Sequence, residues 1–317
     1  MAAGVDRYCG VAMQAAFGNL VAAADWIDLI RGGVKEHNQF NLPETGQGWD
    51  PFHGMLGAYK CEGSLEGYLN TETIGHILVG ILGDAADAGV GDPWNHTFLS
   101  SNDPDPISLY IGDLVAAGEQ KVTGAMINKL EIECVAGEIV TWKADFIGKQ
   151  CEQSALQAAV FDTLDPITFY ETDFQVGGGT IKTTCGAVKL VIERAIADDE
   201  YSLGSRTLRS AWGGPVKVTW EADIYFDALT EWQRFYNGAA GTAPATSYTP
   251  FIADLNLTRT AVTDELLISC DKTVWDVRDA NVDRRSRTME KITGRSYYDD
   301  TLTAALQAIL YNATATY

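Results

Sequence analysis

Four histidines (His37, His53, His76 and His96) and six cysteines (Cys9, Cys61, Cys134, Cys151, Cys185 and Cys270) are the residues first asked for metal or nucleophilic chemistry. No two cysteines stand as C-x-x-C. His76, on an expected helix, has no second ligand type three or four residues away, so no zinc pattern is present. Gly148-Lys149 lacks the preceding glycine of a phosphate loop, and Gly177–Gly179 has no Gly-Lys-Ser/Thr downstream. There is no G-x-S-x-G nucleophile elbow. Asp84, Asp87 and Asp92 could touch a cation, but their spacing fits no calcium loop and reads as solvated loop acids. Glu131 with Glu133 resembles the carboxylate pair of a glycosidase, yet such pairs arise without catalysis in a chain holding 43 acids. Arg284, Arg285 and Arg287 form a basic cluster, read either as a solvated face or as a docking patch for an acidic neighbouring subunit. No enzymatic site, metal site or cofactor is expected.

With that chemistry excluded, bulk properties narrow the class. An apolar content of 46% and a charged content of 21% over 317 residues fit a folded globular chain with a sizeable core. The net charge of −20 argues against general nucleic-acid affinity, which needs a basic surface. Asp outnumbers Glu and Lys is scarce, which fits a high-salt host, a partner to be repelled, or plain solubility. The cysteines read as buried free thiols in a reducing compartment. No segment approaches the roughly 20 apolar residues of a membrane span, so a soluble protein made in a cytoplasm is expected.

The elements that would position these residues are mostly strands. From Val122 to Lys149, Leu130, Ile132 and Cys134 alternate with Lys129, Glu131 and Glu133. After Ala136-Gly137, Val140, Trp142, Ala144 and Phe146 alternate with Thr141, Lys143 and Asp145. This is a β-hairpin with one dry and one wet face. The spacing further predicts a short helix near Val21–Ile30, a loop over Gly46–Lys60 and a strand over Tyr59–Tyr68. A helix follows, capped by Asn70 or Thr71, with Ile74, Ile77, Leu78, Ile81 and Leu82 on one stripe and a stop at Gly83. A loop over Asp84–Pro106 and a strand over Ile107–Ile111 precede the hairpin, and Gln150–Asp165 is a connection.

The pattern then starts again. Val188, Leu190 and Ile192 alternate; Tyr201–Gly214 is a loop; Val216, Val218, Trp220, Ala222 and Ile224 alternate with Lys217, Thr219, Glu221 and Asp223. Asp227 caps a helix ended by Gly238, and after the loop Gly238–Pro250 a strand covers Phe251–Thr258. Moving 60 onto 217, 68 onto 225 and 70 onto 227 lays one block on the other, the mark of a tandem duplication with modules 1–165 and 166–317. Lys272–Arg295 is charged and less regular, and Thr301–Tyr311 reads as helix or strand.

With both blocks in view, the chain resembles the tail tube proteins of long-tailed bacterial or haloarchaeal viruses, in a two-module form. The likeness rests on His96-Thr97-Phe98 before Ser108-Leu109, on Gly124, on Asn128-Lys129-Leu130-Glu131-Ile132, on Ala136-Gly137-Glu138 and on Gly148-Lys149. Tyr201-Ser202-Leu203-Gly204-Ser205-Arg206 resembles the opening of that family's second repeat. The resemblance implies a mainly β fold with flanking helices: antiparallel β-sandwich modules whose hairpins close an oligomeric β-barrel. It also implies a structural virion protein, assembled in the host cytoplasm, whose stacked rings form a channel for the genome. Its partners would be itself, other tail proteins at the tube ends, and DNA passing without specific binding, with no membrane. Two modules per chain make the ring a trimer.

On this reading Lys129, Glu131, Glu133, Thr141, Lys143 and Asp145 face the lumen, which is mildly acidic. Trp49, Asp50, Pro51, Phe52 and His53 touch the next ring. Two alternatives stand beside it: a carbohydrate-binding or hydrolytic β-sandwich gripping sugars with Trp49 and Trp94, and a secretion-system tube protein.

Overall fold

The computed structural model describes residues 7–42, 54–83, 85–88, 91–113, 118–181, 183–225, 229–237, 241–259, 264–281, 289–315 and 317. Alternation in the sequence becomes alternation in burial. Strands β8 (Gly118–Val135) and β9 (Thr141–Gly148) form the expected hairpin, with Leu130 opposite Ala144 and Glu131 opposite Lys143. Leu130, Ile132, Cys134, Trp142, Ala144 and Phe146 are buried, while the residues between them stay partly or fully exposed. Burying each large apolar side chain stabilises the fold by about 1.5–3 kcal/mol, and a one-residue slip would move all of them into water.

Strand β8 is long because it serves two sheets. Its first part pairs with β7 (Ile107–Asp113) and β10 (Gln150–Ser154), and β7 continues to β1 (Arg7–Met13) and β2 (Asp25–Asp28). From Met126 onward it pairs with β9, which continues to β4 (Met55–Tyr68) and β3 (Arg31–Asn41).

The second half of the chain repeats this pairing order. There β16 (Glu265–Asn281) plays the part of β8, pairing early with β15 (Phe251–Thr258) and β18 (Gln307–Asn312), and β15 continues to β11 (Thr172–Val176) and β12 (Gly179–Thr180). Later it pairs with β17 (Met289–Ser296), which leads to β14 (Trp212–Tyr225) and β13 (Cys185–Ala197). Registers recur too. Tyr68 opposite Thr141 and Cys61 opposite Gly148 have their counterparts in Tyr225 opposite Met289 and Val218 opposite Ser296. The bulge between Ile127 and Lys129 recurs between Trp275 and Val277. The halves are joined where β8 pairs with β13.

Helix α1 (Ile74–Leu82) departs from the expected single stripe, because all nine of its residues are buried. A nearly all-apolar helix can be enclosed on every side, since its backbone polar groups are satisfied within it. The N-cap is Thr73, which makes no side-chain capping bond, and not Asn70 or Thr71 as expected; Asn70 shapes the preceding turn, its side-chain oxygen accepting from Glu72 N–H at 2.9 Å, and Gly83 ends the helix at φ +92°. Helix α2 is Thr230–Asn237.

Several expectations are corrected. The segment read as a helix near Val21–Ile30 contains β2, since the edge of β1 offers its backbone a ladder that local propensity does not reveal. Met55–Lys60, read as loop, belongs to β4. The loop over Asp84–Pro106 contains β5 (Ala86–Ala88) and β6 (Trp94–Leu99), and β6 adds itself to β18. Gln150–Ser154 is a strand inside the expected connection. Lys272–Arg295 supplies much of β16 and β17, charged because one side of each strand is wet. Of Thr301–Tyr311, the end is strand β18. Asp227, Gly238, Trp49, Asp50, Pro51, Phe52, His53, Arg284, Arg285 and Arg287 lie outside the described residues.

The strands β3, β4, β9, β8, β13, β14, β17 and the end of β16 make one continuous antiparallel sheet. It is not closed into a barrel within the chain. Among the described residues, β3 pairs only with β4, and β16 beyond Thr273 pairs only with β17.

Candidate functional site

One face of that continuous sheet is wet across its whole width. Its bases are Arg31, Lys35, Lys60, Lys129, Lys143, Lys189, Lys217, Lys291 and Arg295. Its acids are Glu62, Glu66, Glu131, Glu133, Asp145, Glu193, Glu221, Asp223, Asp276 and Asp279. All six expected lumen residues lie on this face, because period-two alternation puts them there.

The charges are knitted together. Glu131 is held by Lys129 at 2.6 Å and by Lys189 at 2.7 Å. Glu193 meets Lys217 at 3.1 Å and Lys129 at 3.8 Å, Lys291 meets Glu221 at 3.1 Å, and Arg295 meets Asp276 at 2.7 Å. Burial raises the pKa of Glu131, but the hydrogen bonds from Lys129 and Lys189 outweigh it and hold the carboxyl below the usual range. The hydrogen bond that Lys129 donates to Glu131 raises Lys129 above its ordinary value.

Ten acids stand against nine bases on this face, a slight negative balance. Bases and acids here are nearly equal in number, whereas the chain as a whole has 23 bases and 43 acids. The acidic surplus therefore sits on other surfaces. Lys189, Glu193, Lys291 and Arg295 complete the face and were not singled out from the sequence, although Lys189 flanks Val188 and Leu190 in a readable alternation.

A second feature projects from one end of the sheet. Strands β3 and β4 carry a hairpin whose last described residues, Phe40, Leu42, Met55 and Leu56, are each more than half exposed. Exposed large apolar groups gathered on a hairpin end mark a contact surface more than a folding core. The segment between them includes Trp49–His53. The base of the hairpin is braced by the loop after β13. Arg206 donates to Gly57 O at 2.9 Å and to Asn38 Oδ1 at 2.7 Å, and its carbonyl accepts from Tyr59 N–H at 2.7 Å. Lys60 pairs with Asp198. No sequence signal announces this brace, because its partners are about 150 residues apart.

The residues first considered for chemistry are committed elsewhere. His76 Nε2 lies 2.5 Å from Asp25, and His96 bridges Asp87 and the Thr314 carbonyl. Desolvation pushes the thiols of Cys9, Cys134, Cys185 and Cys270 up to about 12, far from the reactive thiolate. Among the described residues, no group of three or more His, Cys, Asp or Glu could hold a metal ion. No described helix is long and apolar enough to cross a membrane. Trp94 lies within β6, half-buried beside β18, and not on a sugar-gripping loop.

Compared with known families, residues 10–294 match the one described as phage tail tube protein. A search of curated proteins returns no match.

Proposed function

This chain belongs to the phage tail tube protein family, a structural component of the virion tail, and from that premise we propose how it builds the tube. Each chain supplies two tandem modules, 1–165 and 166–317. Three copies close a ring of six modules, rings stack into a tube, and the genome passes through the bore.

The observation that carries this reading is the pairing of β8 with β13. It joins one half to the other edge to edge, and among the described residues it leaves β3 and the end of β16 as the open edges of the sheet. Open edges invite aggregation unless they are paired, and closure into a ring removes them. Each copy adds eight strands to the barrel wall.

The charge-knitted face, including Lys129, Glu131, Glu133, Thr141, Lys143 and Asp145, lines the bore. Its lysines are already satisfied by neighbouring carboxylates, so little free positive charge is left to trap phosphate, and DNA slides past without specific binding. The acidic surplus faces outward, where it keeps the surface hydrated in a high-salt host. The β3–β4 hairpin, with Trp49, Asp50, Pro51, Phe52 and His53 in its segment, touches the next ring. The end rings meet other tail proteins, and assembly takes place in the host cytoplasm.

Electron microscopy with symmetry analysis of the purified protein or of virion tails tests this. Rings of three chains with pseudo-sixfold walls are expected. Rings of six chains overturn the trimer, and a protein that stays monomeric at high concentration overturns the tube.

A further inference from the structure

The junction inside the chain gives the register for the junction between chains, on the footing of the ring proposed above. Across the internal junction, Leu130 faces Ile192, Glu131 faces Val191, Ile132 faces Leu190 and Glu133 faces Lys189. The matching ladders fix which residues take these places at the open edges. Leu130 pairs with Ala144 as Arg278 pairs with Ile292, and Ile192 pairs with Val218 as Glu36 pairs with Cys61.

We propose that β16 of one copy pairs antiparallel with β3 of a second copy, with Arg278 opposite Glu36, Asp279 opposite Lys35 and Ala280 opposite Val34. The apolar pair Leu130–Ile192 of the internal junction is thus replaced by an ion pair, and Glu131–Val191 by another. No like charges meet in this register. A two-residue slip one way sets Asp276 against Glu36, and a slip the other way separates both pairs. Like charges across an interface penalise wrong partners more than ion pairs reward right ones, so the junction reads both register and partner.

Two further observations fit. Arg278 is half-prepared as an interface cation: it is bound to the buried Glu290 at 2.9 Å and lies 4.3 Å from the Trp232 ring centre. Behind β3 is a cavity of about 510 Å³, lined in part by Gly32 and Glu36. Their counterparts Val188 and Ile192 are buried in the core. The first half is thus left unfilled at the edge where a second copy would sit.

The test uses Lys35 and Asp279, because both are exposed, whereas changing Arg278 would strand the buried Glu290. Lys35→Asp and Asp279→Lys are made singly and together in the full chain, and assembly is followed by sedimentation and negative stain at low salt. Each single variant should raise the concentration needed for assembly by about tenfold or more, and the double variant should return it to near the unmodified value. A Val34→Cys/Ala280→Cys chain should cross-link between copies on mild oxidation, while Val34→Cys/Val277→Cys, with Val277 exposed on the other face of β16, should not. If the unmodified chain assembles but the single variants do so equally well, or the folded double variant fails to recover, the pairing is overturned while the tube stands. If the unmodified chain forms neither rings nor tubes, it is the tube that falls, and the pairing with it.

Discussion

Leu130 lies directly opposite Ile192, and both side chains are fully buried at the junction between the two halves of the chain. Beside them Ile132 faces Leu190, also without exposure. The halves are therefore welded by the same kind of apolar cross-strand contact that holds each half together. Replacing Ile132 with Ala should cost about 2–5 kcal/mol of folding stability, because the packed strands around it cannot collapse into the space. Urea unfolding monitored by tryptophan fluorescence measures this, and a loss below about 1 kcal/mol would mean that the junction contributes little.

Glu131 makes the wet face sensitive to acid. Its carboxyl is held below the usual range by Lys129 and Lys189, so its stabilising effect is complete above the ordinary glutamate range and is lost as pH falls through its lower folded-state value. The difference in stability between the native chain and Glu131→Gln should be about 1 kcal/mol or less at neutral pH, given partial exposure. It should shrink towards zero below about pH 4. A difference that grows on acidification contradicts the assignment.

Charge in the middle of this face, away from the edge strands β3 and β16, should tune passage more than assembly. Glu133 is exposed and makes no close ion pair among those found on the face, so Glu133→Lys should leave the fold intact. Together with Glu131→Lys it gathers lysines around Lys129, Lys143 and Lys189 and creates a cationic bore. Genome release from such particles should slow, most at low ionic strength where screening is weakest. Unchanged release kinetics at low salt would exclude this face from the bore.

Arg206 should matter for stacking. Arg206→Ala removes the hydrogen bonds to Gly57 and Asn38 that hold the β3–β4 hairpin upright. Rings should still form, but tubes should be shorter, and deletion of residues 49–54 should prevent stacking altogether. Tube length distributions in negative stain give the answer, and normal lengths for both variants would place the ring-to-ring contact elsewhere.

Gly83 closes helix α1 at φ +92°, and a Cβ there would come 2.0 Å from the Asp103 carbonyl oxygen. Gly83→Ala should therefore destabilise by more than about 1 kcal/mol, since both backbone conformation and space oppose it. A thermal shift of less than a degree would show that the loop over Asp103 yields freely.

Residues 129–146 and 216–224 declared their strands and their wet and dry sides in the sequence itself, because a half-buried strand must alternate to keep one side in water. What stayed hidden was long-range. Val21–Ile30 looks helical until β1 offers its edge, and Lys272–Arg295 looks irregular until β14 and β16 flank β17. The ion pairing of the wet face was equally unreadable, since Lys189 reaches Glu131 across two strands that lie more than 50 residues apart in the chain. Sequence alone assigned each residue to a side of its strand. Tertiary structure decided which strands lie next to one another, because register between distant segments is set by how whole apolar faces fit and not by any one segment's pattern.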